Sequence, residues 1–141
     1  MKSIMMFLFM FLGINFTLTA QNSKLKIEVS GFEEITGKLS IGLFNDPDNF
    51  PKKNESNLGV QLDIKDSVLT YLFSGLEPGV YALAVYHDEN GNGELDANFL
   101  GIPSEDYVFS NYATGTFGPP SFEDAKFELT DSLHIKLELN K

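Results

Sequence analysis

Apolar residues in this chain recur at every second position, in short runs broken by Gly, Pro, Asn and Asp. Leu25, Ile27 and Val29 alternate with Lys24, Lys26 and Glu28. Leu39, Ile41 and Leu43 alternate with Lys38, Ser40 and Gly42, and Val60, Leu62 and Ile64 with Gln61, Asp63 and Lys65. A period of two places successive side chains on opposite faces of an extended strand, so each run predicts a strand with one buried face. Further runs predict strands at Val68–Phe73, whose inward face is ambiguous, and at Val80–Tyr86, apolar throughout and so covered on both faces. Ala125, Phe127 and Leu129, then Leu133, Ile135, Leu137 and Leu139, flank Asp131-Ser132 and read as a terminal hairpin. No run carries a helical period.

About seven short strands with turn signals between them predict an all-β fold, an antiparallel sandwich of immunoglobulin-like or transthyretin (prealbumin)-like type. A small closed barrel is the alternative. With no Cys in the chain, no disulfide staples such a fold. Its apolar core must hold it, helped by any ion it binds.

Residues 1–20 read as a signal peptide rather than as part of the fold. Lys2 opens it, the uncharged apolar stretch Ile4–Ile14 follows, and Leu18-Thr19-Ala20 offers the cut before Gln21. The apolar stretch is shorter than the roughly 20 residues a spanning helix needs. The expected mature chain, 21–141, is thus an exported single domain, periplasmic or extracellular, with no stable membrane insertion after cleavage. Its formal charge is strongly negative, −10 for the whole chain, which argues against nucleic acid and anionic membrane surfaces as partners.

Between Asp88 and Asp124 the alternation stops, and a long ordered loop is expected there. It opens on Asp88, Asn90, Asn92 and Asp96, alternating with spacers, with Gly93 where a tight turn needs it. In an EF-hand loop, oxygens come from positions 1, 3, 5, 7, 9 and 12, with Gly at 6. Asp88 at the first position puts Asn90, Asn92, Gly93 and Asp96 in register, and Glu94 supplies a backbone carbonyl. Phe99 replaces the bidentate Glu at the twelfth position, and Glu105 or Asp106 is the candidate to close the shell. The expected guest is Ca²⁺, held weakly, at about 10⁻⁴ to 10⁻³ M. The competing arrangement is an Asx turn whose side chains bond their own backbone.

His87 follows Leu83 and Val85 in strand parity and so points inward, where bonding to a backbone carbonyl is the ordinary outcome. A ligand or base is the sharper one. Two histidines far apart and no Cys argue against a zinc site. Ser104 and Ser110 lie near acidic residues, but nothing marks an activated nucleophile, so no enzyme is expected. Tyr107, Phe109, Tyr112, Phe117 and Phe122 are expected to cover the sheet or, alternatively, to form a platform for a glycan or peptide. A hydrolase using His87 is the weakest option.

The motif His87-Asp88-x-Asn90-x-Asn92-Gly93-x-Leu95-Asp96-x-Asn98-x-x-Gly101-x-Pro103-x-Glu105 resembles a domain-of-unknown-function family of small secreted bacterial proteins. Phe109-Ser110-Asn111 and Phe117-Gly118-Pro119-Pro120-Ser121-Phe122-x-x-Ala125 are similar to its second block, and Gly75-Leu76-x-Pro78-Gly79-x-Tyr81 to its entry turn. The resemblance runs from Lys24 to the C-terminus. It implies export and a prealbumin-like sandwich, names no activity, and implies a glycine near Val108, where this chain has none.

Overall fold

The computed structural model describes residues 22–52 and 54–140. The expected signal peptide lies outside them. The strands are β1 (Ser23–Ser30), β2 (Lys38–Phe44), β3 (Leu58–Asp63), β4 (Val68–Leu76), β5 (Gly79–Asp88), β6 (Tyr107–Phe109), β7 (Phe127–Leu129) and β8 (Ser132–Glu138). A 3-10 turn (Ser110–Tyr112) and a one-turn helix α1 (Phe122–Ala125) stand between β6 and β7. Among the described residues no helix is long and apolar enough to cross a membrane.

These strands form an all-β sandwich. One sheet has the order β4-β1-β8; the other has the order β3-β2-β5-β6, with β7 also paired to β5. The alternating residues meet between the sheets. Leu25, Ile27, Val29, Leu39, Ile41, Leu43, Leu83 and Val85 are all buried there. Fully burying one such side chain contributes about 1.5–3 kcal/mol, so these inward faces dominate the stability. In β4 the inward residues are Leu69, Tyr71 and Phe73, which resolves the ambiguous run.

Pairing differs from expectation in two places. β7 and β8 are not a hairpin: β7 pairs β5, whereas β8 joins the other sheet and runs parallel to β1, Leu25 opposite Leu133. Asp131-Ser132 is therefore a crossing between sheets, tied down where the Lys24 amide donates to the Asp131 carbonyl at 2.8 Å. Phe127 and Leu129 of the first run and Leu133, Ile135, Leu137 and Leu139 of the second keep their inward faces in either arrangement, so alternation alone does not distinguish them; Ala125, expected on the same face, instead ends α1 and packs against Phe122 and its neighbours. The long loop also contains a strand. In β6, Val108 pairs with Val85 and is buried in the core, so this position carries a packed side chain rather than the implied glycine.

A second cluster covers the outer face of the five-stranded sheet. Phe44, Phe50, Phe109 and Phe122 pack there with Ala82 and Ala125. Phe50 meets the other three rings edge-on at centroid distances of 5.3, 5.8 and 5.8 Å. β5 is thus covered on both faces, as expected. Of the five loop aromatics, Phe109 and Phe122 join the cover and Tyr107 packs against it, while Tyr112 and Phe117 remain exposed.

Candidate metal centre

Strand parity divides the end of β5 between two environments. Tyr81, Leu83, Val85 and His87 face the space between the sheets, and Asp88 turns the other way into the loop. His87 and Asp88 are both 0% exposed, and from the loop's far end Glu105 is 4% and Asp106 2% exposed. Four polar side chains are therefore buried where β5 leaves its sheet and β6 enters it. Gly37, at φ +72°, makes this possible: a Cβ there would stand 2.4 Å from the Asp88 carbonyl oxygen and 2.9 Å from the Glu89 Cα.

The loop closes around its carboxylates. Asp88 Oδ1 accepts from the Asn92 amide at 3.0 Å and Oδ2 from the Gly93 amide at 2.8 Å. Asn90 Oδ1 accepts from the Asn92 amide at 2.9 Å, and Asn92 Oδ1 from the Glu94 amide at 2.8 Å. The side-chain nitrogens of Asn90 and Asn92 both donate to the carboxylate of Asp96. Glu105 closes the ring, accepting from the Glu89 and Asp96 amides at 2.9 Å each. Gly91 and Gly93 take φ of 73° and 78°, conformations that L residues avoid, which lets the chain bend this tightly.

Of the residues singled out from sequence, Asp88, Asn90, Asn92, Asp96 and Glu105 thus form one hydrogen-bonded network. Glu94 enters it through its amide. Phe99, at the twelfth position, is exposed. Asp88, Glu89, Glu94, Asp96, Glu105 and Asp106 crowd this segment, and no Lys or Arg lies between His87 and Asp106 in sequence. Among the described residues, no ion pair joins a basic side chain to Asp88, Asp96, Glu105 or Asp106. Amide donors satisfy part of that negative charge, and burying the rest without a counter-charge is costly. Each carboxylate oxygen has a second lone pair free for a cation.

A second arrangement lies on the core side. The His87 amide donates to the Asp106 carbonyl at 2.8 Å, which makes the two residues cross-strand neighbours. His87 Nε2 lies 2.8 Å from the Thr36 carbonyl oxygen, the bond to backbone anticipated for it, and Phe32 meets the ring edge-on at 5.7 Å. His87 Nδ1 and Asp106 Oδ2 are buried without a hydrogen-bond partner. One ligating atom each from His87, Glu89 and Asp106 lies within 4.8 Å of the others. Sequence reasoning did not assemble this set. The available signal was parity, since His87 and Glu89 are two apart; their neighbour across the ladder depends on where β6 begins. His134 pairs with Glu28 at 3.4 Å on the three-stranded sheet and plays no part here.

Beside the loop, a groove of about 1070 Å³ runs over the outer face of the five-stranded sheet. Its floor is the row Gly59, Gly42 and Ala84, adjacent in register on β3, β2 and β5. Leu100, Ile102 and Phe117 are among the residues of its walls.

The chain matches, over residues 27–136, the model of family DUF2141, described as an uncharacterized protein conserved in bacteria. The chain belongs to this family. No curated protein and no solved structure matches it. The family match covers both the polar loop and the residues that bury it, from β1 through most of β8.

Proposed function

We propose that this DUF2141 chain is an exported, non-enzymatic β-sandwich module whose loop from His87 to Glu105 binds Ca²⁺ and thereby stiffens the connection between β5 and β6. The observation that carries this reading is the convergence of Asp88, Asp96 and Glu105 in one network that, among the described residues, no basic side chain joins by an ion pair. Oxygen donors of this kind suit a hard cation, and calcium's flexible shell tolerates the mixture of carboxylate, carboxamide and carbonyl groups. Magnesium demands stricter octahedral geometry. The buried Ser110 hydroxyl donates to the Ala125 carbonyl and accepts from the Leu83 amide, so Ser110 itself offers no nucleophile to a hydrolase reading.

Binding at about 0.5 mM affinity would stabilise the protein by roughly 1.4 kcal/mol in 5 mM calcium, a rise in Tm of about 4–6 °C. Thermal melts in calcium and in chelator, at constant ionic strength, measure this. Asp96→Ala is the informative variant, because among the described residues the Asp96 side chain bonds to Asn90 and Asn92 alone, and its loss spares the backbone closure. The calcium-dependent rise should vanish in Asp96→Ala and in Asp88→Ala. Superimposable melts of the unaltered protein in calcium and in chelator would end this reading.

The groove favours a second reading, in which the module holds an extended apolar peptide. The row Gly59, Gly42 and Ala84 in its floor carries no large side chain, and exposed Leu100, Ile102 and Phe117 stand beside it.

A further inference from the structure

We infer that His87, Asp106 and Glu89 form a second cation site, one that takes a zinc-class divalent ion through an imidazole nitrogen and two carboxylate oxygens. It does not depend on the calcium reading: Asp88 and Glu105 direct their oxygens to loop amides, whereas these three residues gather their ligating atoms in a cluster of their own.

The tautomer of His87 follows from its partner. A carbonyl oxygen only accepts, so Nε2, 2.8 Å from the Thr36 carbonyl, carries the ring proton. In the neutral ring Nδ1 then holds a bare lone pair. A backbone carbonyl that fixes one ring nitrogen and frees the other is the usual support for a metal-binding histidine. That lone pair is buried without a partner, and so is Asp106 Oδ2. Each is an electron-rich atom buried with no positive partner among the described residues, and such burial is costly.

A cation offsets that cost. Ligating atoms of all three residues lie within 4.8 Å of one another. Ligands on arms of about 2.0–2.2 Å around a tetrahedral ion are roughly 3.4 Å apart, so gripping one draws these atoms together by up to about 1.4 Å, a movement the exposed Glu89 side chain can supply. Imidazole nitrogen with carboxylate oxygen selects zinc-class metals over calcium, which prefers oxygen alone. His87 and Asp106 are held in the ladder, while Glu89 is exposed and gives the ion a way in from solvent. Three protein ligands leave one position open to water.

The test uses chelator-treated protein in 20 mM calcium, which fills nearly all of the oxygen loop if that loop binds at about 0.5 mM. Zinc is titrated by calorimetry, and cobalt by its visible absorption. The expected result is one zinc per chain with micromolar or tighter affinity, and a cobalt band typical of four or five ligands. Glu89→Gln, a change at an exposed side chain that leaves folding intact, should weaken zinc about ten-fold or more. Asp106→Asn should do the same, and His134→Ala should change nothing. On zinc addition the ¹⁵N resonance of His87 Nδ1 should move while Nε2 keeps its proton. The inference fails if zinc binds without stoichiometry, if His134→Ala abolishes binding, or if Glu89→Gln binds as tightly as the unaltered protein. It fails equally if His87 proves to be an imidazolium paired with Asp106 that takes up no zinc.

Discussion

Ser110 shows how much one small polar side chain decides in this fold. Its hydroxyl links the Leu83 amide of β5, at 2.9 Å, to the Ala125 carbonyl at the end of α1. Near acidic residues in sequence, it invites reading as a nucleophile; buried and bonded on both sides, it fastens α1 against the sheet. Ser110→Ala would leave a buried N–H and a buried C=O without partners, each costing about 1–3 kcal/mol. The expected loss is about 2–4 kcal/mol, read as a lower urea midpoint with an unchanged slope. A loss under about 0.5 kcal/mol would mean that both groups find other partners, as surface changes do.

Among the elements, β5 carries the most. It pairs with β2, β6 and β7, has the inter-sheet core on one face and the phenylalanine cluster on the other, and ends on His87 and Asp88. Phe50 is the keystone of its outer cover, reaching from the polar connection between β2 and β3 to touch Phe44, Phe109 and Phe122. Phe50→Ala should cost about 3–5 kcal/mol and Phe50→Leu under about 1.5 kcal/mol, measured by chemical denaturation. Equal costs for the two would show that the rings do not pack as a unit. Phe50 was not legible from sequence, because a lone aromatic in a polar loop has no period to announce its burial. The inward residues of β1 and β2 were legible, because there the period itself is the signal.

At the scale of the whole molecule, segments distant in sequence build the groove: the floor from β2, β3 and β5, one wall from the loop that follows β5, the other from the stretch before α1. Leu100→Ser and Phe117→Ser remove exposed side chains, so both should leave stability within about 0.5 kcal/mol. Both should nonetheless reduce capture of extended apolar peptides from a display library. Ile35→Ser, an exposed apolar residue away from the groove, serves as the control. Equal capture by all three variants would remove the peptide reading, and enrichment on a glycan array instead would reassign the groove to sugars.

Local pattern alone determined which side chains turn inward: Leu25, Ile27, Val29, Leu39, Ile41 and Leu43 are buried as their alternation requires. It also determined that Asp88, Asn90, Asn92 and Asp96 share one bend, since residues a few positions apart around two glycines have little choice but to meet. Tertiary structure alone decided that β8 lies parallel to β1, that β7 joins β5, that Phe50 closes the aromatic cover, and that Asp106 stands opposite His87. The physical reason is that alternation encodes burial, a property of each strand by itself. Pairing across sheets is settled only when distant segments compete for the same edges and the same core.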